Sequence, residues 1–250
     1  MKTTVFAFLI SCCMMLGGCT ESDAPAAAKL QLEMKASTSL SKISSPGRSM
    51  ASGLVFGEIL IGVTELEFET LEEDQREEAD DAHDGEDHDG EMENEDIEFE
   101  GAFAVDLIHG TSTPDFGIAE ILPGLYEEME IEIGPVLEGG KSVLIAFEIP
   151  QQDADPLKFE YSYSGELEIE IERDAGFHLD GGSLNQMLVL FNLDLLFGNI
   201  DFSQAVADAD GIIRIHSASN ADLASLIMAN FHAAFEAGED HDGDDEIDED

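Results

Sequence analysis

The residues with the widest chemical reach lie in two acidic, histidine-bearing stretches. Glu86-Asp87-His88-Asp89-Gly90 recurs as Glu239-Asp240-His241-Asp242-Gly243, and His83-Asp84-Gly85 makes a partial third copy. Imidazole nitrogens suit Zn, Cu or Ni, and carboxylate oxygens suit Ca or Mn. Glycine lets the backbone turn so that neighbouring side chains converge. His83 and His88 supply two nitrogens, and His241 a third if the C-terminal segment approaches the first stretch. The expected ligand set is His83, Asp84, Asp87, His88, Asp89, Asp240, His241 and Asp242, taking a divalent cation of the Zn, Cu, Ni or Ca kind. The competing reading is compositional. Both stretches are so acidic that carboxylates surround any histidine, and they then serve solvation and loose cation buffering.

Two familiar metal patterns do not fit. The spacing matches no structural zinc site. In an EF-hand register with Gly243 at the sixth place, Asp240, Asp242 and Glu249 fall on places three, five and twelve. The first place then falls on Gly238, which has no side-chain oxygen. The first stretch, with Gly90 sixth, puts Gly85 in the first place.

Catalytic constellations are missing. Ser183 and Ser203 lack the strand-turn-helix context of a nucleophile elbow. Asp106 and Asp194 sit in apolar stretches with no partner carboxylate in view, and no glycine-rich phosphate loop opens a helix. His109, His178 and His216 read as isolated surface residues, and His232, on the predicted helix beside Phe231, has no neighbours that form a site. The chain reads as a binding module, not an enzyme. Tyr161 and Tyr163 share one face of a strand and would make a small aromatic platform. They define the alternative: a carbohydrate- or protein-binding surface whose acidic segments only confer solubility.

The start of the chain decides where this chemistry happens. Lys2 precedes an apolar run of about a dozen residues, then Leu16-Gly17-Gly18-Cys19. The run is shorter than a transmembrane helix. The four residues resemble a lipobox, so residues 1–18 are expected to be a lipoprotein signal peptide and Cys19 the acylated residue. More than one acyl chain gives stable anchoring. Thr20, in place of Asp, follows the usual sorting rule for the outer membrane of the cell envelope. Cys12 and Cys13 leave with the leader, so no disulfide is expected and an apolar core must hold the fold.

Charge narrows the partners. Loss of Lys2 with the leader takes the formal net charge from −47 to −48. Nucleic acid needs a basic footprint and is excluded. Cations, an extracellular ligand and the membrane reached through the lipid remain as partners.

Most of the remaining chain alternates with the period of a strand. Residues 19–27 read as a tether. Residues 28–150 read as a β-sandwich domain interrupted at 72–96, where 15 of 25 residues are acidic and a mobile insertion is expected. Strands are predicted at 29–36, 54–68, 97–107, 117–122 and 126–133, with Gly57 and Gly62 marking a bulge or bend in the second. Pro123-Gly124 suits a type II turn joining the last two as a hairpin. In 126–133, Glu128, Glu130 and Glu132 alternate with Met129, Ile131 and Ile133. A further strand is predicted at 142–149, and residues 151–236 add strands at 157–163, 166–172, 186–193 and 211–216, in the same or a second domain. A helix is predicted over 220–236, capped at Ser219 or Asn220. Residues 237–250 read as an acidic disordered tail. The pattern argues for a mainly β, antiparallel β-sandwich with one C-terminal helix.

Ile121-Leu122-Pro123-Gly124-Leu125-Tyr126 resembles the Leu-Pro-x-Gly-x-Tyr segment of prealbumin-like sandwich domains. With Gly101-Ala102-Phe103-Ala104-Val105-Asp106-Leu107-Ile108 it resembles an uncharacterised bacterial lipoprotein family described as carbohydrate-binding-like. The resemblance spans roughly residues 28–150. It implies a prealbumin-like or Ig-like sandwich and carries over no catalytic motif.

Overall fold

The computed structural model describes residues 26–38, 53–70, 97–241 and 243–248. The leader, Cys19, the insertion with His83, Asp84, Asp87, His88 and Asp89, and also Asp242, lie outside the described residues.

The chain is mainly β, with two sheets and few helices. In the first sheet, β1 (Ala28–Ser37) is central, flanked by β11 (Leu184–Asn192) and β6 (Ile118–Ile121), with β13 (Phe235–Glu239) beyond β11. The second sheet runs through β10 (Leu167–Leu179), β7 (Gly124–Ile133), β2 (Val55–Thr70), β8 (Val143–Gln151), β9 (Ala154–Tyr163) and β12 (Ile212–Ile215). On the opposite edge of β2 lie β3 (Ile97–Glu98) and β4 (Phe103–Asp106), and β5 (Thr111–Thr113) extends β4. Strands from both halves of the chain interleave in both sheets. One buried cluster joins their inward faces, from Leu30 and Met34 of β1 to Phe68, Ile131 and Phe177 of the other sheet.

Alternation explains most of this. β1 reads Ala-Lys-Leu-Gln-Leu-Glu-Met-Lys-Ala-Ser, and Ala28, Leu30, Leu32, Met34 and Ala36 are all buried. Each of the buried Leu and Met side chains stabilises the fold by about 1.5–3 kcal/mol relative to exposure. The pairing is not wholly antiparallel, however. β1 pairs β11 in parallel and β9 pairs β12 in parallel. Long crossovers bring those partners together, and alternation alone does not set strand direction.

β2 changes partner midway. Residues 55–61 pair with β8 and residues 63–70 with β7. The exchange falls at Gly62, whose N–H donates to the Ser142 carbonyl and whose own carbonyl accepts from Gly134. A Cβ at Gly62 would stand 2.6 Å from the Gly134 carbonyl oxygen, closer than real contacts allow. The expected irregularity at Gly57 coincides with a register shift between Phe56 and Glu58.

Three expectations require correction. Pro123-Gly124 is not a hairpin turn, because β6 belongs to the first sheet and β7 to the second. The segment is an arch between sheets, and the Tyr126 hydroxyl donates to the Leu122 carbonyl across it at 2.8 Å. That bond to a carbonyl four residues upstream has the form of a tyrosine corner. The C-terminal helix is shorter than predicted: α2 spans Ala221–Ala229, and a first short helix, α1 (Leu193–Leu196), precedes it. The apolar residues that extend the helical spacing, Phe231, Ala234 and Phe235, are buried instead through a 3₁₀ turn and β13. The predicted acidic tail therefore starts as a strand, since the open edge of β11 offers Phe235–Glu239 a full set of backbone partners.

Candidate functional site

Two acidic regions are built by this framework. The first is the turn after β13. The Asp240 carboxylate is buried and accepts backbone N–H bonds from Gly243 (2.8 Å), Asp244 (3.2 Å) and Asp245 (3.0 Å). Asp245 adopts φ of 60°, the left-handed conformation that lets the turn close. His241 lies between two carboxylates, Nε2 at 2.9 Å from Glu239 and Nδ1 at 3.1 Å from Asp248. The His241 backbone N–H also donates to Asp248, and this bond leads the causes holding that carboxyl below its usual range. Lys35 of β1 pins the turn to the sheet through Asp245 and Glu33, each at 2.6 Å. Burial opposes the Lys35 charge, but the bonds to Asp245 and Glu33 outweigh it and raise its pKa.

The predicted ligands thus have local jobs. Asp240 organises backbone amides, and both His241 nitrogens face carboxylates. Asp240 also stands in a different register from the one weighed in the sequence. With Asp240 first, Asp242 and Asp244 take places three and five, left-handed Asp245 takes the glycine place, and Asp248 takes place nine. Among the described residues, no three His, Cys, Asp or Glu side chains converge as a metal site.

The second region is a plate of glutamates on the outer face of the second sheet. Glu65, Glu67 and Glu69 of β2 alternate with Leu66 and Phe68, which are buried. Glu128, Glu130 and Glu132 of β7 alternate with buried Met129 and Ile131, and Glu168, Glu170 and Glu172 of β10 with buried Ile169 and Ile171. The register aligns all three strands. Glu132 faces Glu65 and Glu168, Glu130 faces Glu67 and Glu170, and Glu128 faces Glu69 and Glu172. Nine glutamates form a three-by-three lattice, on strands spaced about 4.8 Å and at backbone intervals of about 6.7 Å along each strand.

Like charges directly opposite one another destabilise a sheet. Their mark is visible on the central strand. Glu128 and Glu130 have raised pKa values, first through partial burial and then through repulsion, led by Glu170 and Glu69 for Glu128 and by Glu168 and Glu67 for Glu130. Among the described residues, no lysine or arginine forms an ion pair with any of the β7 or β10 glutamates of the plate. At one end a cavity of about 460 Å³ opens between Glu132, Glu166 and Glu168. At the other end the acidic insertion leaves β2 after Thr70 and returns at Ile97, so its two ends adjoin the Glu69–Glu128 rung.

The plate was not singled out in the sequence, although its signal is there. Glu65-Leu66-Glu67-Phe68-Glu69, Glu128-Met129-Glu130-Ile131-Glu132 and Glu168-Ile169-Glu170-Ile171-Glu172 are three copies of one alternating pattern. What the sequence does not contain is the register that stacks them.

The aromatic platform fails. Tyr161 and Tyr163 do share a face of β9, but it is the inward one. Tyr161 is 1% exposed and packs in the core, and its hydroxyl has no hydrogen-bond partner among the described residues. Burial pushes its phenol far above the usual value. Tyr163 is half-buried, packs against the same core and donates to the Glu166 carbonyl at 3.4 Å. His109 and His178 are exposed beside Asp106 and Asp180.

No protein family model, curated protein or solved structure matches this chain.

Proposed function

We propose that this chain is a lipid-anchored, non-enzymatic binding protein of the cell envelope that collects divalent cations on its acidic surface. The reading rests on one observation: nine glutamates held in register across β2, β7 and β10. Like charges held opposite one another in a sheet cost stability. A cation that binds the folded chain and not the unfolded one returns that stability by mass action. Calcium binds carboxylate oxygens at about 2.3–2.6 Å, and glutamates on neighbouring strands about 4.8 Å apart are close enough for their flexible side chains to share one ion. Bridging of neighbouring pairs needs no three-ligand cage. The acidic insertion at 72–96 joins β2 beside the plate, and His83, His88 and His241 add nitrogen donors for softer ions such as zinc. The anchor is read from Leu16-Gly17-Gly18-Cys19, and the two sheets, with the Tyr126 corner, support a prealbumin-like sandwich as the carrier. Carbohydrate recognition lacks support because its two tyrosines point inward.

Thermal unfolding of the full chain in CaCl2, MgCl2 and NaCl at equal ionic strength tests the proposal. A calcium- or magnesium-specific rise in Tm supports it. Identical curves in all three salts refute it. Zinc titration of the His88→Ala/His241→Ala variant asks separately about the nitrogen donors, whose loss should weaken zinc binding and leave calcium binding intact.

A further inference from the structure

The start of the described chain lies at one end of the body, where three leucines are exposed beside Lys29, His178 and Asp180. Ala26 touches the turn at Gly181 and Gly182, where a Cβ on Gly181 would meet the Ala26 carbonyl and the Pro123 ring. The Gly182 N–H donates to the Ala27 carbonyl. Ile121 pairs with Ala28, so Leu122 follows directly beside this corner, and Leu184 pairs with Lys29 on the other side. Leu122, Leu125 and Leu184 are exposed by 43%, 43% and 45%. Residues 121–126 and 181–184 carry no charge themselves and are flanked by Glu127 and exposed Asp180.

Most exposed leucines need no explanation, but these sit where the anchor must lead. Only six residues lie between Cys19 and Ala26, and the seven steps reach at most about 25 Å when fully extended. The far end of β11, at Asn192, lies about 27 Å along the strand from Leu184, and Leu195, 53% exposed, follows it in α1. A tether of that length keeps the Ala26 end next to the bilayer. It also holds the leucines at a high local concentration against the lipid, so a weak apolar contact is enough.

We infer that the end of the body formed by Leu122, Pro123, Leu125 and Leu184 rests on the surface of the lipid bilayer that carries the acylated Cys19. The inference depends on the anchor reading of Cys19 and not on cation binding. Lys29, exposed at the same corner, faces lipid phosphate. The acidic insertion springs from this end too, since Thr70 pairs with Tyr126. Contact with anionic lipid therefore meets repulsion, and zwitterionic lipid shows the apolar contact most clearly.

The mature chain has no free thiol once Cys19 is acylated, so one introduced cysteine is a unique label. Leu125→Cys, Leu184→Cys and Leu195→Cys variants of the full, acylated chain, each carrying a polarity-sensitive dye, are reconstituted into phosphatidylethanolamine–phosphatidylcholine vesicles containing bromolipid. The inference predicts blue-shifted emission and several-fold stronger quenching at positions 125 and 184 than at 195. Equal, water-like emission at all three positions overturns it. Labelling of cells with an alkyne fatty acid separates the two premises. Incorporation at Cys19 with water-like dyes rejects only the docking, whereas no incorporation rejects anchor and docking together.

Discussion

Glu130→Gln should make the fold more stable. Glu130 sits at the centre of the plate, with Glu67 and Glu170 directly opposite and Glu128 and Glu132 along its own strand. Glutamine preserves the size and β geometry and removes one charge. Opposed pairs in a sheet are worth about 0.2–1 kcal/mol each. Two such repulsions, screened because the side chain is half-exposed, come to about 0.5–1 kcal/mol. In a body of this size that raises Tm by about 1–4 °C. Urea unfolding at low and high NaCl measures it, with Glu148→Gln as the control, because Glu148 faces Lys158 at 4.0 Å and lies off the plate. The Glu130→Gln gain should shrink as salt screens the repulsion, and the control should stay within about 0.5 kcal/mol of wild type. A Glu130→Gln variant less stable than wild type at low salt, or a gain indifferent to salt, would refute the repulsion argument.

The same plate sets an unusual pH dependence. Glu128 and Glu130 hold protons more tightly folded than unfolded, so their contribution is full below the unfolded carboxylate pKa and is lost as pH rises through the folded one. Stability measured by urea midpoint should rise as pH drops from 7 toward about 5. It should then fall at lower pH, as groups such as Asp210, held at about 2 first by its Arg214 hydrogen bond, lose their charge. Tyr126→Phe and Tyr161→Phe should move stability in opposite directions. The first loses the bond to Leu122 and costs about 1 kcal/mol, and the second removes an unpartnered buried hydroxyl and gains about 1 kcal/mol. Calorimetric Tm values check both, and a costly Tyr161→Phe would show that the hydroxyl has a partner. Gly62→Ala, which forces a Cβ against the Gly134 carbonyl, should cost about 1–3 kcal/mol by the same measurement.

Period-two alternation made the strands legible. β1 lies within a residue of its predicted limits at each end, and β2 keeps its predicted bulge at Gly57. Alternation tells which face is buried but not which strand lies next, so the parallel β1–β11 pair and the arch at Pro123 were hidden. Phe231, Ala234 and Phe235 fit a helical stripe, yet the edge of β11 offered their segment a strand partner, and tertiary pairing won over local spacing. Tyr161 shows the reverse limit. The sequence placed it correctly on one face with Tyr163, but nothing local said that this face looked inward. The plate combines both lessons: its three glutamate repeats are plain in the chain, and their stacking depends on register between strands over 100 residues apart in sequence for Glu67 and Glu170.

Equilibrium dialysis of the full chain against calcium at fixed ionic strength, beside the Glu128→Gln/Glu130→Gln/Glu132→Gln variant, addresses cation collection most directly. The account predicts several bound ions per wild-type chain and a clear loss in the variant, whose fold is at least as stable. Equal binding by the two proteins, or no binding by either, would contradict it.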